Sequence, residues 1–171
     1  MFETMVATTF FVLCGFATYT DVARYKIPNW INVYLVLLFI PAAFLTQIGW
    51  ATAGWHFLLA FGVLVFTYTM FSFNLIGGGD AKLIPAVLLW IGPAGGIHFV
   101  YGMALTGGIL ALVLLLLRKQ VPAELAPRFA QPLIAEKKDI PYGVAIFGGA
   151  VYASALSPLL ASFVGQFGHV L

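Results

Sequence analysis

Two aspartates, Asp21 and Asp80, are the only acidic residues between positions 4 and 123 of a strongly apolar chain. Two carboxyls brought together do not both ionise easily, because like charges repel, and such a pair holds one shared proton near neutral pH. The ionised member can draw a proton from a water molecule that attacks an amide carbonyl. The protonated member supports the developing oxyanion and then protonates the leaving amine. If the fold brings the two residues together, they have the chemistry of an aspartic protease.

Each aspartate also has a simpler structural interpretation. Asp80 follows the glycines at 77–79 and precedes an apolar stretch, as an N-cap residue does. Asp21 stands three residues before Arg24, so a surface ion pair of little energetic value would explain it. The glycines favour a functional role, because backbone without side chains can adopt positive φ and allows another backbone to approach the carboxylate closely.

Other chemistries have less support in the sequence. Cys14 and the histidines His56, His98 and His169 form no ligand set, so we expect no metal and no cofactor. We interpret Cys14 as a packing residue and the histidines as core or interface residues. Ser72 has no histidine on its side of the chain to act as a base. The string GGGDAK lacks the spacing of a phosphate-binding loop, and its aspartate would repel phosphate.

The elements that must position the aspartates are membrane helices. The chain has 171 residues, 62% of them hydrophobic and 8% charged, whereas about 25% of residues are charged in a soluble domain. A net charge of +2 leaves too few basic residues for nucleic-acid binding. We predict one membrane-embedded domain over 1–171, an all-α bundle of about six transmembrane helices in the lipid bilayer. The predicted helices cover 3–20, 31–48, 56–75, 81–97, 98–117 and 142–164.

The basic residues indicate how this bundle is oriented. All eight fall in alternate connections: two after the first helix, one after the third, and five in the polar segment 118–141. By the positive-inside rule these connections are cytoplasmic and both termini are extracytoplasmic. Asp21 and Asp80 then lie at the cytoplasmic ends of their helices and can be neighbours. For 118–141 we favour a solvated cytoplasmic loop over a segment that contacts substrate.

Three strings resemble signatures of the type IV prepilin peptidases, a family of GxGD membrane aspartic proteases. The strings are Asp21 with Arg24, Ile27, Pro28 and Asn29; Gly77, Gly78, Gly79 and Asp80 with Lys82 and Leu83; and KKDIPYGVAI at 137–146. The resemblance implies that Asp21 and Asp80 are the catalytic pair. It also implies prepilin-like substrates, whose short, positively charged leader is removed at the cytoplasmic face of the inner membrane. The cut follows a glycine, just ahead of the apolar helix of the pilin.

The chain departs from the longer bacterial members of that family. Those members have an additional N-terminal cytoplasmic region, often with paired cysteines that bind zinc, and they methylate the new N-terminus. Here the first predicted helix starts at the beginning of the chain and there is one cysteine, so we expect neither the zinc segment nor methyl transfer. The chain looks more like the short branch that serves tight-adherence (Flp-type) pili, or like a short archaeal preflagellin peptidase.

Several roles and functions stay open at this point. Lys82 either stabilises an ionised Asp80 or extends to the membrane interface. Pro28 and Asn29 are expected to shape the turn into the second helix. Two other functions compete with proteolysis: a small proton- or cation-coupled transporter, whose acids usually lie near the bilayer midplane, and a non-catalytic factor that holds pilins during assembly.

Overall fold

The computed structural model describes residues 2–120 and 140–161. These residues form α-helices and one short 3-10 turn, without a strand, which confirms the predicted all-α class. The five helices are α1 (Phe2–Arg24), α2 (Asn29–Leu45), α3 (Trp50–Ser72), α4 (Asp80–Gln120) and α5 (Tyr142–Ala153), and the 3-10 turn is Ser154–Leu156. Helices α1, α3 and α4 are long and apolar enough to cross a membrane, while α2 and α5 are shorter apolar helices.

The boundary predicted between helices at 81–97 and 98–117 is wrong. Helix α4 continues through that boundary and is interrupted instead at Gly92, where φ is 75° and ψ is 178°. Glycine adopts this positive φ without the clash that a Cβ causes. The next residue, Pro93, has no N–H with which to continue the helix. The Gly-Pro pair therefore sets the break, and the length of the apolar stretch does not.

The part of α4 before the break, 80–91, is named the short arm. It packs antiparallel to α3, because Thr67 bonds to Ala81 near one end and His56 bonds to Leu89 near the other. At about 1.5 Å per residue the short arm is about 18 Å long, less than the hydrocarbon thickness of about 30 Å.

The part of α4 after the break, 93–120, is named the long arm. It packs antiparallel to α5, with Gly95 against Ala153 and Gly107 against Ala145. The small residues allow the two helices to approach closely, as is usual between membrane helices. Helix α5 is thereby fixed beside the other helices by its small-residue face.

The predicted site residues lie at one end of the bundle, named the site end. There Gly143 at the start of α5 donates to Asp21 near the end of α1, and Lys82 in the first turn of α4 donates to Asn29 at the start of α2. The opposite end, named the far end, carries Gly92 and the connection between α2 and α3.

Other predicted boundaries also need correction. Helix α1 extends beyond the predicted range 3–20, so Asp21 and Arg24 belong to its last turns and not to a connection after it. Helices α2 and α3 begin and end earlier than the predicted 31–48 and 56–75. Of the five described helices, α4 consists of two helical parts joined at the non-helical Gly92, and the predicted count of six transmembrane helices stays a prediction. The predicted sixth helix, 142–164, is regular only to Ala153, and its residues 162–164 lie outside the described part.

The predicted loop 118–141 lies mostly outside the described residues as well. Of its described residues, 118–120 continue α4, and 140–141 lead into α5.

The core is centred on Trp90 near the far end. Its ring packs against Phe10 of α1 and Phe39 of α2, and its Nε1 donates to the Leu35 carbonyl at 2.9 Å. Cys14 is also buried in this core, as its interpretation as a packing residue predicted. These contacts join α1, α2 and the short arm, which carry both predicted catalytic aspartates.

Candidate active site

Asp21 is held between two helices at the site end. It is 8% exposed, and its Oδ2 accepts the Gly143 N–H at 2.8 Å. One turn earlier in α1, Thr18 Oγ1 donates to the Gly143 carbonyl at 3.0 Å. The first N–H groups of a helix have no partner within the helix and favour a negative charge nearby. The Asp21 carboxylate supplies that partner to α5, which begins after Pro141.

Gly143 is a site residue that the sequence reasoning missed. A Cβ at this position would lie 3.0 Å from both Cβ and Oδ2 of Asp21, so a larger residue would displace the carboxylate. The sequence did contain a signal, because Gly143 belongs to the IPYG part of the third resembling string.

Asp80 is the first residue of α4 and is half-buried. Residues 77–79, named the glycine string, accept hydrogen bonds from the first turn of the helix. Ala81 N–H donates to the Gly77 carbonyl at 2.9 Å, and Leu83 N–H donates to the Gly79 carbonyl at 3.0 Å. The Oδ1 atom of Asp80 is buried and has no hydrogen-bond donor among residues 2–120 and 140–161. A buried polar atom without a partner is costly and marks a position worth a functional explanation.

The glycine string acts through its lack of side chains and not through unusual backbone angles. None of Gly77, Gly78 and Gly79 has a positive φ. A Cβ on Gly77 would lie 2.9 Å from Asp80 Oδ2, and one on Gly79 would lie 3.1 Å from Ile27 Cβ. The backbone of the string therefore packs directly against the carboxylate and against the connection between α1 and α2.

The structure brings Asp21 and Asp80 to the same place, because both line the same two cavities. The small cavity, about 300 Å³, is also lined by the glycine string, Pro28, Asn29 and Lys82. The large cavity, about 730 Å³, extends along Met103 and Arg118 of the long arm and Tyr142 of α5. The two carboxyls thus border both cavities.

Lys82 and Asn29 contact each other. Lys82 Nζ donates to Asn29 Oδ1 at 3.0 Å, a contact between exposed side chains that joins the first turn of α4 to the start of α2. Pro28 precedes α2 in an extended conformation, with φ of −64° and ψ of 134°. Arg24 is exposed in the last turn of α1 and lines neither of the two cavities.

Tyr25 is a second residue that the sequence reasoning missed. It directly follows α1 with φ of 52°, and its N–H donates to the Asp21 carbonyl at 2.7 Å. It lines both cavities. A tyrosine rarely adopts this left-handed conformation, and nothing in the sequence indicates it.

The described residues hold no group of three or more histidine, cysteine or acidic side chains of the kind that binds a metal ion. The site end holds two carboxyls, carried by two different helices, beside the small and the large cavity. The fold and this site define an integral membrane protein with two acids at one end of a helical bundle.

The chain belongs to the type IV leader peptidase family, whose model matches residues 8–112. The match runs from α1 into the long arm of α4 and includes Asp21 and Asp80, while α5 lies beyond it. It confirms the family that the three strings predicted, and it makes the chain a membrane protein of a peptidase family. Neither the curated proteins nor the solved structures include a significant match.

Proposed function

We propose that the protein is a membrane aspartic endopeptidase that removes the positively charged leader from prepilin-like substrates. One observation carries this proposal: Asp21 and Asp80, which are distant in the sequence, line the same two cavities at the site end. The family match supports it, since it covers both residues.

The hydrogen bonds at the two carboxyls suggest their separate roles. Asp21 accepts the Gly143 N–H, and such a bond favours the charged form of a carboxyl. Asp80 has one buried oxygen without a donor in the described part of the chain, which suits the member that keeps the shared proton. Asp21 is then the base and Asp80 the acid.

The reaction needs one water molecule and no other reagent. Asp21 takes a proton from the water, and the resulting hydroxide adds to the scissile carbonyl carbon. Asp80 donates its proton, first as a hydrogen bond to the oxyanion and then to the nitrogen as the C–N bond breaks. The proton on Asp21 then passes to Asp80, which restores the starting state of an ionised Asp21 and a protonated Asp80.

The distribution of charge supports a cytoplasmic active site. The basic residues Arg24, Lys26, Lys82 and Arg118 lie in or beside the elements of the site end. By the positive-inside rule this end faces the cytoplasm, and in a bacterial cell the bilayer would be the inner membrane. The location also argues against transport, since acids that carry ions usually lie near the midplane.

A co-expression experiment tests the proposed function. The protein is produced with a prepilin of the tight-adherence class, and the membrane fraction is analysed by mass spectrometry. We expect a shorter product whose new N-terminus follows a glycine directly ahead of the apolar helix. If the prepilin stays intact although the protein is present and folded, the endopeptidase proposal is wrong, and a non-catalytic role in assembly would explain the family match instead.

A further inference from the structure

Two prolines leave carbonyl groups of α4 without their usual partners. In an α-helix the carbonyl of residue i accepts the N–H of residue i+4. Positions 85 and 93 are prolines and have no N–H, so the carbonyls of Ala81 and Leu89 lack this bond. An unsatisfied backbone group is especially costly within a membrane.

Helix α3 supplies a side-chain donor to each of these carbonyls. Thr67 Oγ1 lies 2.7 Å from the Ala81 oxygen, and His56 Nδ1 lies 2.8 Å from the Leu89 oxygen. The histidine nitrogen must be the donor, because a carbonyl only accepts. Both side chains are buried, with Thr67 4% exposed and His56 1% exposed. The short arm is therefore attached to α3 near both of its ends.

Three backbone carbonyls lie near the Thr67 hydroxyl, and the hydroxyl donates to that of Ala81. Its Oγ1 also lies 2.9 Å from the Val63 carbonyl and 3.2 Å from the Leu64 carbonyl. Those two carbonyls already accept backbone N–H groups of α3 through the regular i to i+4 ladder. The Ala81 carbonyl lacks that partner and is the nearest of the three, so it receives the hydroxyl hydrogen.

We propose that Thr67 is a positioning residue for Asp80, an inference that rests on the proposed function. Ala81 directly follows Asp80, so the bond to its carbonyl fixes the first turn of the short arm against α3. It thereby fixes where Asp80 lies along the axis of the short arm and how it is rotated about that axis relative to Asp21. Displacement of a catalytic group by about 1 Å can cost about 100-fold in rate, so a bond one residue from Asp80 matters for catalysis although Thr67 does not touch substrate.

Three single variants test this role by steady-state cleavage of a prepilin with purified protein. Thr67→Val keeps the shape and removes the hydroxyl, and we expect kcat to fall about 10-fold with KM unchanged. Thr67→Ser keeps a hydroxyl and should stay within about twofold of the parent. The matched control is Thr69→Val, whose hydroxyl bonds at 2.8 Å to the Val65 carbonyl of its own helix and is exposed. We expect this control to cleave at the parental rate.

The same substitution made in a Pro85→Ala background distinguishes the loss of the hydrogen bond from the loss of packing. Pro85→Ala restores an N–H that can donate to the Ala81 carbonyl, so in that background Thr67→Val should lower kcat by less than about threefold. Loss of packing alone would not be rescued in this way. If Thr67→Val fails to accumulate as a single variant, the double variant decides: recovered cleavage supports the proposal and no recovery overturns it.

The proposal is wrong if Thr67→Val cleaves like the parent, or if it loses activity equally in both backgrounds. Asp21→Asn and Asp80→Asn, measured in the same assay, separate this failure from a failure of the proposed function. If the two aspartate variants are inactive while Thr67→Val is unaffected, only the positioning role fails. If the aspartate variants cleave like the parent, the proposed function itself fails.

Discussion

The two sides of the candidate active site hold their carboxyls in different ways. On one side, Asp21 lies within a long helix, is 8% exposed, and accepts a hydrogen bond directly from α5. On the other side, Asp80 begins the short arm, is half-buried, and has one oxygen without a donor in the described ranges.

This difference shows where each carboxyl is sensitive to change. The position of Asp21 depends on one direct bond, so a change at the donor acts on the carboxyl itself. The position of Asp80 depends on several backbone and packing contacts, namely the glycine string, α3 and the contact between Lys82 and Asn29. We therefore expect changes beside Asp21 to lower cleavage more than changes beside Asp80.

Among substitutions of residues beside the two aspartates, we expect Gly143→Val to lower the rate of prepilin cleavage most. A Cβ at this position would lie 3.0 Å from Asp21 Oδ2, so the substitution must move the carboxylate. We expect the initial rate of prepilin cleavage to fall by about 100-fold or more. Gly108→Val on the long arm is the matched control, because a Cβ there meets nothing within 4 Å. Cleavage by Gly143→Val within a few-fold of the control would show that Asp21 is not held as described.

A smaller effect is expected for Gly77→Ala on the other side. Its new Cβ would lie 2.9 Å from Asp80 Oδ2, and we expect a loss of about 10-fold, because Asp80 has other contacts that keep it near its position. The neighbouring Gly78→Ala is the control within the same string, since the atoms nearest to its Cβ would belong to the Phe71 ring, at 3.0 Å, and not to Asp80. Equal losses in both variants would mean that the glycines act through loop conformation and not through room at Asp80.

The contact between Lys82 and Asn29 should matter less again. It joins two exposed side chains, and such a bond contributes little free energy. We expect Lys82→Met and Asn29→Ala each to lower the cleavage rate by about two- to threefold. The double variant should be no worse than either single variant, because both remove the same bond. Additive losses would indicate that Lys82 acts on Asp80 independently of Asn29.

The smallest effect on cleavage is expected for a change at the far end. His56→Leu removes the donor to the Leu89 carbonyl, and we expect the free energy of unfolding in detergent to fall by about 1–3 kcal/mol. Below the melting temperature, cleavage should stay close to the parental rate, since His56 is remote from both carboxyls. His98→Leu, at an exposed position of the long arm, should change neither quantity. Loss of cleavage without loss of stability in His56→Leu would contradict this division between the two ends.

Part of this architecture could be predicted from the sequence. The apolar composition indicates membrane helices, and the strings around Asp21 and Asp80 indicate the family, because both signals are local in the chain. The extent of α1 and the break in α4 were predicted wrongly. Helix α1 continues past Asp21 to Arg24, and the Gly92–Pro93 pair is a stronger determinant of the break in α4 than the length of the apolar stretch.

The contacts that hold the carboxyls could not be predicted from the sequence, because they join residues that are distant in the chain. Pro85 within an apolar helix does indicate a carbonyl that needs another donor. Only the packing of α3 on the short arm identifies Thr67 as that donor. In the same way, the approach of Gly143 to Asp21 depends on the placement of α5.

The most direct test of the account compares prepilin cleavage by purified parent, Asp21→Asn and Asp80→Asn in the same lipid environment. Glu3→Gln is the matched control, because it removes an acid near the opposite end of α1. We predict that each aspartate variant folds like the parent but cleaves at least about 1,000-fold more slowly, while Glu3→Gln cleaves at the parental rate. Parental cleavage by either aspartate variant would contradict the claim that the two carboxyls act together on one peptide bond.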